Sequence, residues 1–248
     1  MVITVAYPKP DHMRNIKLCA ILPLILIFSN AIGQIYGRIG YNAGGIITPQ
    51  FNDVVDIYNE NRPYLDNQMN HVVLLHGAVF GIGYHFQGSN VSNEFTWSNH
   101  HAVISSGGID PNTNEYTTRD VKYRHNCLTY GVHFRIKKFP ILWWGLSVDI
   151  DNYRQFTRIN DDKYSWLDKS VIVEDKIYVI FDLPISDAIS VQFQPYFQLP
   201  WWIAVEYDQF VDLALNVPYW DGYSLTSFPK NYGLFVTFRF GGNNYGDN

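Results

Sequence analysis

The sequence has only two cysteines among 248 residues, so a disulfide scaffold and a cysteine-based zinc site are both excluded. Charged residues are scarce, at 17%, and the formal net charge is -5. A chain without a basic excess lacks the electrostatic footprint of a nucleic-acid-binding protein, so no nucleic-acid partner is expected. Aromatic residues, by contrast, reach 17%, which excludes intrinsic disorder. No P-loop, dinucleotide fingerprint or zinc-protease motif is present, and no cofactor or metal is predicted.

Long hydrophobic runs are also few, and the clearest lies near the N-terminus, from Leu18 to Phe28. A short basic stretch precedes it, beginning at Met13, and small residues follow it, at Ser29 and Ala31. These features are typical of a signal peptide, and the run is too short to span a bilayer comfortably. The sequence therefore predicts upstream residues and a signal peptide over 1–33 and one exported domain over 34–248. An N-terminal membrane anchor is the alternative.

The exported part alternates between apolar and polar side chains with a period of two. From Ile189 to Tyr207 every odd position is apolar or aromatic, which is much longer than the usual strand of about five or six residues. The same alternation recurs at 72–86, 127–136, 142–151, 176–183 and 232–240, and two more strands are predicted at 34–47 and 91–105. The pattern predicts an all-β protein with about eight strands, ten being possible.

The connections between these strands alternate in length. Short turns are predicted at 87–90, 137–140 and 184–188, and longer polar segments at 48–70, 107–118, 157–170 and 208–231. Tight turns at one end and long loops at the other are typical of outer-membrane barrels. The sequence thus predicts an antiparallel up-and-down transmembrane β-barrel. Helical spacing of apolar residues also predicts short helices in the first and last loops, around Phe51 to Tyr58 and Phe210 to Leu215.

The two faces of the strands differ in a way that indicates which one meets lipid. The polar face is rich in glycine, which suits the crowded interior of a narrow barrel rather than a solvated exterior. The apolar face carries aromatic residues where strands end, as in the interfacial girdles of membrane barrels. The predicted girdle residues are Tyr84, Phe86, Trp144, Trp201, Phe238 and Phe240. A soluble lipocalin-like barrel, with the apolar face inward, is the alternative.

With its leader, its alternation, its asymmetric connections and the aromatic last strand 232–240 (YGLFVTFRF), the chain resembles the small outer-membrane β-barrel family of Gram-negative bacteria, in the size class of the OmpA transmembrane domain and OmpX. The resemblance implies a location in the cell outer membrane, contact with lipid and lipopolysaccharide, and recognition of the last strand by the barrel-assembly machinery. In that family an aromatic residue usually ends the protein, whereas here residues 241–248 (GGNNYGDN) follow Phe240.

Charged and polar residues on the inward face predict a lumen network of near-balanced charges. Its members are Arg38, Glu94, His133, Arg135, Asp149, Asp151, Glu174, Lys176, Asp182 and Arg239, with His85 and His125 on the same face. An interior of about eight strands has room for side chains only, so these charges are expected to pair and fill it. A narrow, weakly selective pore is the alternative. Cys127, also inward, is interpreted as a small filler.

The outward face has two polar interruptions, His76 and His101. A turn at 87–90 that pairs Phe86 with Val91 places these histidines opposite each other, near the lipopolysaccharide headgroups. Lipid A-modifying acyl hydrolases keep their active site on the outer face of a small barrel, so His76 and His101 are weak catalytic candidates. The hydrolase His-x-Ser pattern is absent, and Ser98 points inward by parity. No catalytic residue is predicted beyond these two weak candidates, and an enzyme is not the favoured interpretation.

These observations favour a structural, adhesive or partner-docking role through the extracellular loops. The acyl hydrolase and the narrow pore remain as alternatives. The expected partners are outer-membrane lipid, the barrel-assembly machinery and an extracellular or envelope protein. Loop carboxylates Asp161, Asp162 and Asp168 offer oxygen ligands for a divalent cation, although such residues are usually only solvated.

Overall fold

The computed structural model describes residues 33–86, 88–216 and 225–241, and it is dominated by long antiparallel strands. The predicted signal peptide and the residues after 241 lie outside the described residues. The strands are β1 (Gly33–Ile47), β2 (Leu65–Asn67), β3 (Leu74–Phe86), β4 (Val91–Ile109), β5 (Tyr116–Ile136), β6 (Phe139–Ile159), β7 (Ser165–Ser186), β8 (Ile189–Trp202), β9 (Val205–Glu206), β10 (Thr226–Ser227) and β11 (Lys230–Phe240). The two helices are α1 (Pro49–Glu60) and α2 (Asp208–Leu215).

Eight of the strands close into a barrel. The neighbours run in the order β4, β3, β1, β11, β8, β7, β6 and β5, and a further pairing of β4 with β5 completes the ring. The short strand β2 is added beside β4, and β9 and β10 form a separate pair. Closure leaves no open edge among the eight strands, which a sheet surrounded by lipid requires. The prediction of an all-β antiparallel barrel of about eight strands is confirmed.

The outer surface of the barrel is a continuous apolar belt. Its residues are Ile39, Phe80, Ile82, Phe95, Trp97, Leu128, Leu146, Val148, Ile177, Phe181, Phe197, Leu234, Val236 and Phe238, all more than a third exposed. Water would make so large an apolar surface unfavourable, whereas lipid accepts it, so the soluble-barrel alternative is excluded. The chain is a transmembrane β-barrel of the outer-membrane type, located in the outer membrane. Neither helix among the described residues is long and apolar enough to cross a bilayer.

The predicted girdle residues all lie on this outer surface. Phe86, Trp144, Phe238 and Phe240 stand near the short turns with between 39% and 48% of their surface exposed, and Trp201 near the other end is 56% exposed. Tyr84 packs edge to face against Phe86, with 5.0 Å between ring centroids.

The lumen is narrow because tyrosines lie directly over glycines. A Cβ added at Gly145 would meet the Tyr178 ring at 2.4 Å, and one at Gly131 would meet the Tyr178 hydroxyl at the same distance. Tyr36 covers Gly83 in the same way, at 2.1 Å. The inward glycines therefore provide the space that the aromatic rings fill, which explains why glycine is concentrated on the polar face.

Four consecutive strands run far beyond the membrane. Strands β4 to β7 have 19, 21, 21 and 22 residues, whereas about 9–11 tilted residues cross a bilayer. The prediction of long polar loops at 107–118 and 157–170 is therefore wrong, because the strands continue and leave short turns at 110–115 and 160–164. Cross-strand polar contacts sustain this extension: Asp120 accepts from Ser105 Oγ at 2.5 Å and forms an ion pair with Arg158 at 2.7 Å.

The predicted loop helices are present and close the mouth of the barrel. Phe51 of α1 stacks on Phe210 of α2, with ring centroids 4.9 Å apart, and meets Tyr123 and Tyr207 edge to face at 5.0 and 5.6 Å. Apolar residues from both helices join those from the extended strands in one buried core. This cap, which we define as α1, α2 and the side chains packed beneath them, is the largest apolar core of the described residues.

Candidate functional site

Charged side chains cross the lumen in pairs. Three buried cation–carboxylate pairs are Arg38 with Glu94 at 2.8 Å, Lys176 with Asp149 at 2.8 Å and Arg239 with Asp182 at 2.9 Å. A charge removed from water is tolerated when a partner of opposite charge and further hydrogen bonds surround it. Thr96 supplies such a bond, donating its hydroxyl to Glu94 at 2.6 Å.

The other lumen candidates also have partners. Asp151 lies 2.7 Å from His125 Nε2, and Glu174 accepts from the Tyr153 hydroxyl at 3.2 Å. His133 meets Tyr178 edge to face at 5.4 Å. Arg135 is only half-buried, beside Trp143 with 5.9 Å to the ring centroid. His85 packs edge to face against the same ring, at 5.6 Å between ring centroids.

Uncharged polar residues complete the network, and sequence reasoning missed them. The Gln198 amide donates to both Asp149 and Asp151, at 2.9 and 2.8 Å, and so holds the two carboxylates together. Asn42 donates to the Tyr196 hydroxyl at 3.0 Å. Both residues lie at inward-facing positions of their strands. The alternation that identified the charged lumen residues therefore also places these two amides in the lumen.

The space left among these side chains is very small. A cavity of about 10 Å³, room for one water molecule, lies between Arg38, Glu94, His133 and Lys176. An ion moving through the lumen would have to break the buried ion pairs that surround this cavity. The geometry of the lumen therefore favours a filled interior over an open channel.

One group of lumen residues has the donor types of a metal site. The ligand atoms of His125, Cys127 and Asp151 all lie within 4.8 Å of one another, and a nitrogen, sulfur and oxygen set suits zinc or a similar ion. These atoms are already engaged, however. His125 bonds to Asp151, Gln198 donates to the same carboxylate, and the Cys127 sulfur lies 3.1 Å from the Thr129 hydroxyl. These three side chains therefore belong to the hydrogen-bonded packing of the lumen rather than to a metal site.

The two outward histidines meet as their numbering predicts. His76 is paired with His101 in the β3–β4 ladder, and the ring centroids are 4.8 Å apart. The Tyr41 hydroxyl is hydrogen-bonded to His76 Nδ1 from the neighbouring strand. Ser98, the serine considered as a nucleophile, is 1% exposed and lies on the lumen face, so it is separated from both histidines by the barrel wall.

Helix α2 is held at both ends by charged side chains from elsewhere in the chain. The Asp168 carboxylate accepts from the backbone N–H groups of Gln209 and Phe210, at 3.1 and 3.0 Å. At the other end, Arg62 donates to the carbonyls of Leu213 and Ala214, at 2.8 and 2.9 Å. Each charge complements the helix dipole and satisfies backbone groups that a helix end leaves unpaired. Asp168 is thus a helix-anchoring residue rather than a cation ligand beside Asp161 and Asp162.

The anchoring carboxylate is expected to make the cap sensitive to pH. Asp168 lies in the part of β7 beyond the membrane. Burial raises its pKa from 3.8 to about 6, although its two backbone N–H donors act to lower the pKa. Because the pKa is higher in the folded state, the contribution of this group to stability is full below pH 4 and is lost as the pH rises through 6. The amide signals of Gln209 and Phe210 in NMR spectra should titrate with a midpoint near 6.

The control for this titration is Asp168→Asn, which keeps the shape of the side chain and removes its ionisation. Its Gln209 and Phe210 amide signals should show no midpoint near 6. A midpoint near 4 in the unmodified protein would mean that the carboxyl group is not desolvated in the cap.

Comparison with known proteins identifies no family for this chain. No family model matches the chain, and no curated protein sequence matches it. Solved structures that are similar include Ail, the attachment invasion locus protein of Yersinia pestis, with 9% identity, a TM-score of 0.42, and coverage of 84% of this chain and 99% of that one. Neisserial surface protein A is also similar, with 7% identity, a TM-score of 0.40, and coverage of 84% of this chain and 96% of that one. The outer membrane protein OprG of Pseudomonas aeruginosa has 9% identity, a TM-score of 0.38, and coverage of 84% of this chain and 95% of its own.

Proposed function

We propose that this protein is a non-enzymatic outer-membrane barrel whose extracellular end docks another protein, in an adhesive or envelope-assembly role. The observation that carries the proposal is the extension of β4 to β7 beyond the membrane, joined to a cap with a buried apolar core. An extension of this size is not needed to cross the bilayer. Rigid structure beyond the membrane is well suited to recognition, because a partner does not have to order it on binding.

The far end of this extension carries exposed apolar residues. Ile109 of β4 and Tyr116 of β5 are cross-strand partners and are 51% and 57% exposed. We call these two residues the extracellular tip. They lie well outside the apolar belt, so lipid does not cover them, and grouped apolar residues on a water-exposed surface are typical of protein interfaces.

The lumen and the outer histidines support the same proposal by disfavouring the alternatives. Buried ion pairs and packed tyrosines fill the barrel, which opposes a pore. Ser98 lies on the opposite side of the wall from His76 and His101, which opposes an acyl hydrolase of the serine type. The proposal includes the barrel-assembly machinery as a transient partner, supported by the aromatic last strand that ends at Phe240.

Photocrosslinking in intact cells of the source organism tests the docking role. A photoreactive amino acid at position 116 should give a discrete protein adduct of reproducible mass. The adduct should be lost with Ile109→Asp, which places a charge beside the crosslinker. The control Thr113→Asp, in the adjoining exposed turn, should leave it unchanged.

Two outcomes would overturn this proposal. One is the absence of an adduct from position 116 in cells where the protein is folded and surface-exposed. The other is an adduct that persists unchanged in Ile109→Asp. Conductance steps in planar bilayers would favour the pore instead, and altered lipid A acylation in mass spectra would favour the hydrolase.

A further inference from the structure

Five basic residues occupy one register row across five neighbouring strands. His76 of β3 is paired with His101 of β4, His101 with Arg124 of β5, Arg124 with Arg154 of β6, and Arg154 with Lys169 of β7. We call this set the basic row. All five side chains are on the outward face of their strands, the face that carries the apolar belt. On β5 and β6 this face is marked by the belt residues Leu128 and Ile150. The row is therefore on the lateral surface of the barrel, outside the lumen network.

The row lies where the apolar belt ends. His76 is about ten residues along β3 from its last residue, Phe86, and His101 is about ten residues along β4 from its first residue, Val91. A tilted strand of about ten residues spans the apolar band of about 25 Å. The histidines thus stand at the outer membrane surface, and Arg124 and Arg154 lie just beyond the belt residues Leu128 and Ile150 of their own strands.

Neutral groups hold the two arginines in place without cancelling their charge. The amide oxygen of Asn99, with its amide oriented to accept, receives hydrogen bonds from Arg124 Nη2 and Nε at 3.0 and 2.8 Å. Asn152 accepts from Arg154 Nε at 2.9 Å. Both arginines are partly exposed, and Lys169 is exposed. The row therefore keeps its positive charge available to a ligand at the membrane surface.

Two outward-facing acidic residues on the strands of the row do not neutralise it. Asp120, further out on β5, is paired with Arg158 at 2.7 Å. Asp175 lies lower on β7, opposite Val148 within the belt rather than within the row. Cross-strand neighbours of like charge destabilise a sheet, and Arg124, Arg154 and Lys169 are three such neighbours in succession. An anion bound across them would remove this repulsion.

We propose that the basic row binds the phosphate groups of lipid A in the outer leaflet. Arginine forms paired hydrogen bonds with phosphate oxygens, and lysine adds a point charge. A basic cluster just outside a membrane-spanning surface is the arrangement that recognises anionic headgroups. The level of the row matches the headgroups and not the acyl chains. This site is separate from the extracellular tip and does not depend on the docking role.

Lipid binding to the full-length mature barrel in neutral detergent micelles tests the proposal by native mass spectrometry. Bisphosphorylated lipid A is the probe, and lipid A without phosphates is its matched control. The double substitution Arg124→Gln and Arg154→Gln should weaken binding of the phosphorylated lipid at least tenfold. It should leave binding of the dephosphorylated lipid unchanged. The control double substitution Lys137→Gln and Lys138→Gln, in the exposed β5–β6 turn, removes the same charge and should bind like the unmodified protein.

Three results would overturn the proposal. They are equal binding by the basic-row variant and the unmodified barrel, equal binding of lipid A with and without phosphates, and full displacement of the lipid by an equal concentration of inorganic phosphate, which would indicate a free-phosphate site. Heat-modifiable migration on a detergent gel checks that each variant is folded. If the double variant does not fold, the exposed single substitution Lys169→Gln replaces it, with an expected loss of at least threefold.

Discussion

Replacing Arg38 with methionine should lower the free energy of unfolding by about 3–5 kcal/mol, the usual effect of leaving one member of a buried ion pair without its partner. Glu94 would remain in the lumen, where it is 4% exposed and its nearest cation, 2.8 Å away, would be lost. The Thr96 hydroxyl bond, which would persist, is too weak to replace a full charge. Urea-induced unfolding of the barrel in lipid vesicles measures the change.

Two further variants make the interpretation specific to the pair. Adding Glu94→Gln to Arg38→Met removes both charges and should recover most of the lost stability, because a neutral glutamine still accepts the Thr96 bond. Arg158→Met, which breaks the more exposed pair with Asp120, should lower the free energy of unfolding far less, because exposed ion pairs contribute little to stability. If Arg38→Met cost no more than Arg158→Met, the lumen pair would be solvated, and the filled interior that disfavours a pore would be wrong.

Replacing Phe51 with alanine should release the cap while leaving the barrel intact. Phe51 has no exposed surface and contacts three other aromatic rings, so the substitution should destabilise cap packing by about 3–5 kcal/mol. Hydrogen exchange at the amides of α1 and α2 should become at least a hundredfold faster. The ladders of β1, β8 and β11 within the membrane should keep their protection, since their pairing does not involve the cap.

The exposed substitution Asp53→Ala, on the same helix as Phe51, is the control and should leave the exchange rates of both helices close to those of the unmodified protein. Faster exchange throughout the barrel in Phe51→Ala would contradict this expectation. It would mean that the cap and the membrane-spanning strands unfold as one unit.

Much of this architecture could be predicted because a strand has a period of two. A residue in a strand faces either lipid or lumen, so parity alone separated Leu146 and Val148 from Asp149 and Asp151. The pairing of His76 with His101 followed equally directly, because a short turn makes the two residue numbers of each antiparallel pair add to a constant.

The extracellular extension could not be predicted in the same way. Beyond the membrane both faces of a strand tolerate polar residues, so alternation disappears around 107–118 and 157–170, and these segments resemble loops. Their pairing depends on partners distant in sequence, such as Asp120 with Arg158. The helix-anchoring role of Asp168 was hidden for the same reason, since its partners Gln209 and Phe210 lie about forty residues away.

The sequence by itself determined that this protein is a closed barrel in the outer membrane, because alternation, strand number and turn length are local properties that each segment carries independently. Only the tertiary structure decided which side chains meet. Arg38 reaches Glu94 across the lumen, Phe51 reaches Phe210 above it, and three cations from separate strands align outside it. In a closed, tilted sheet each strand pairing sets the register of the next one. The neighbours of a side chain therefore depend on all the strand pairings together.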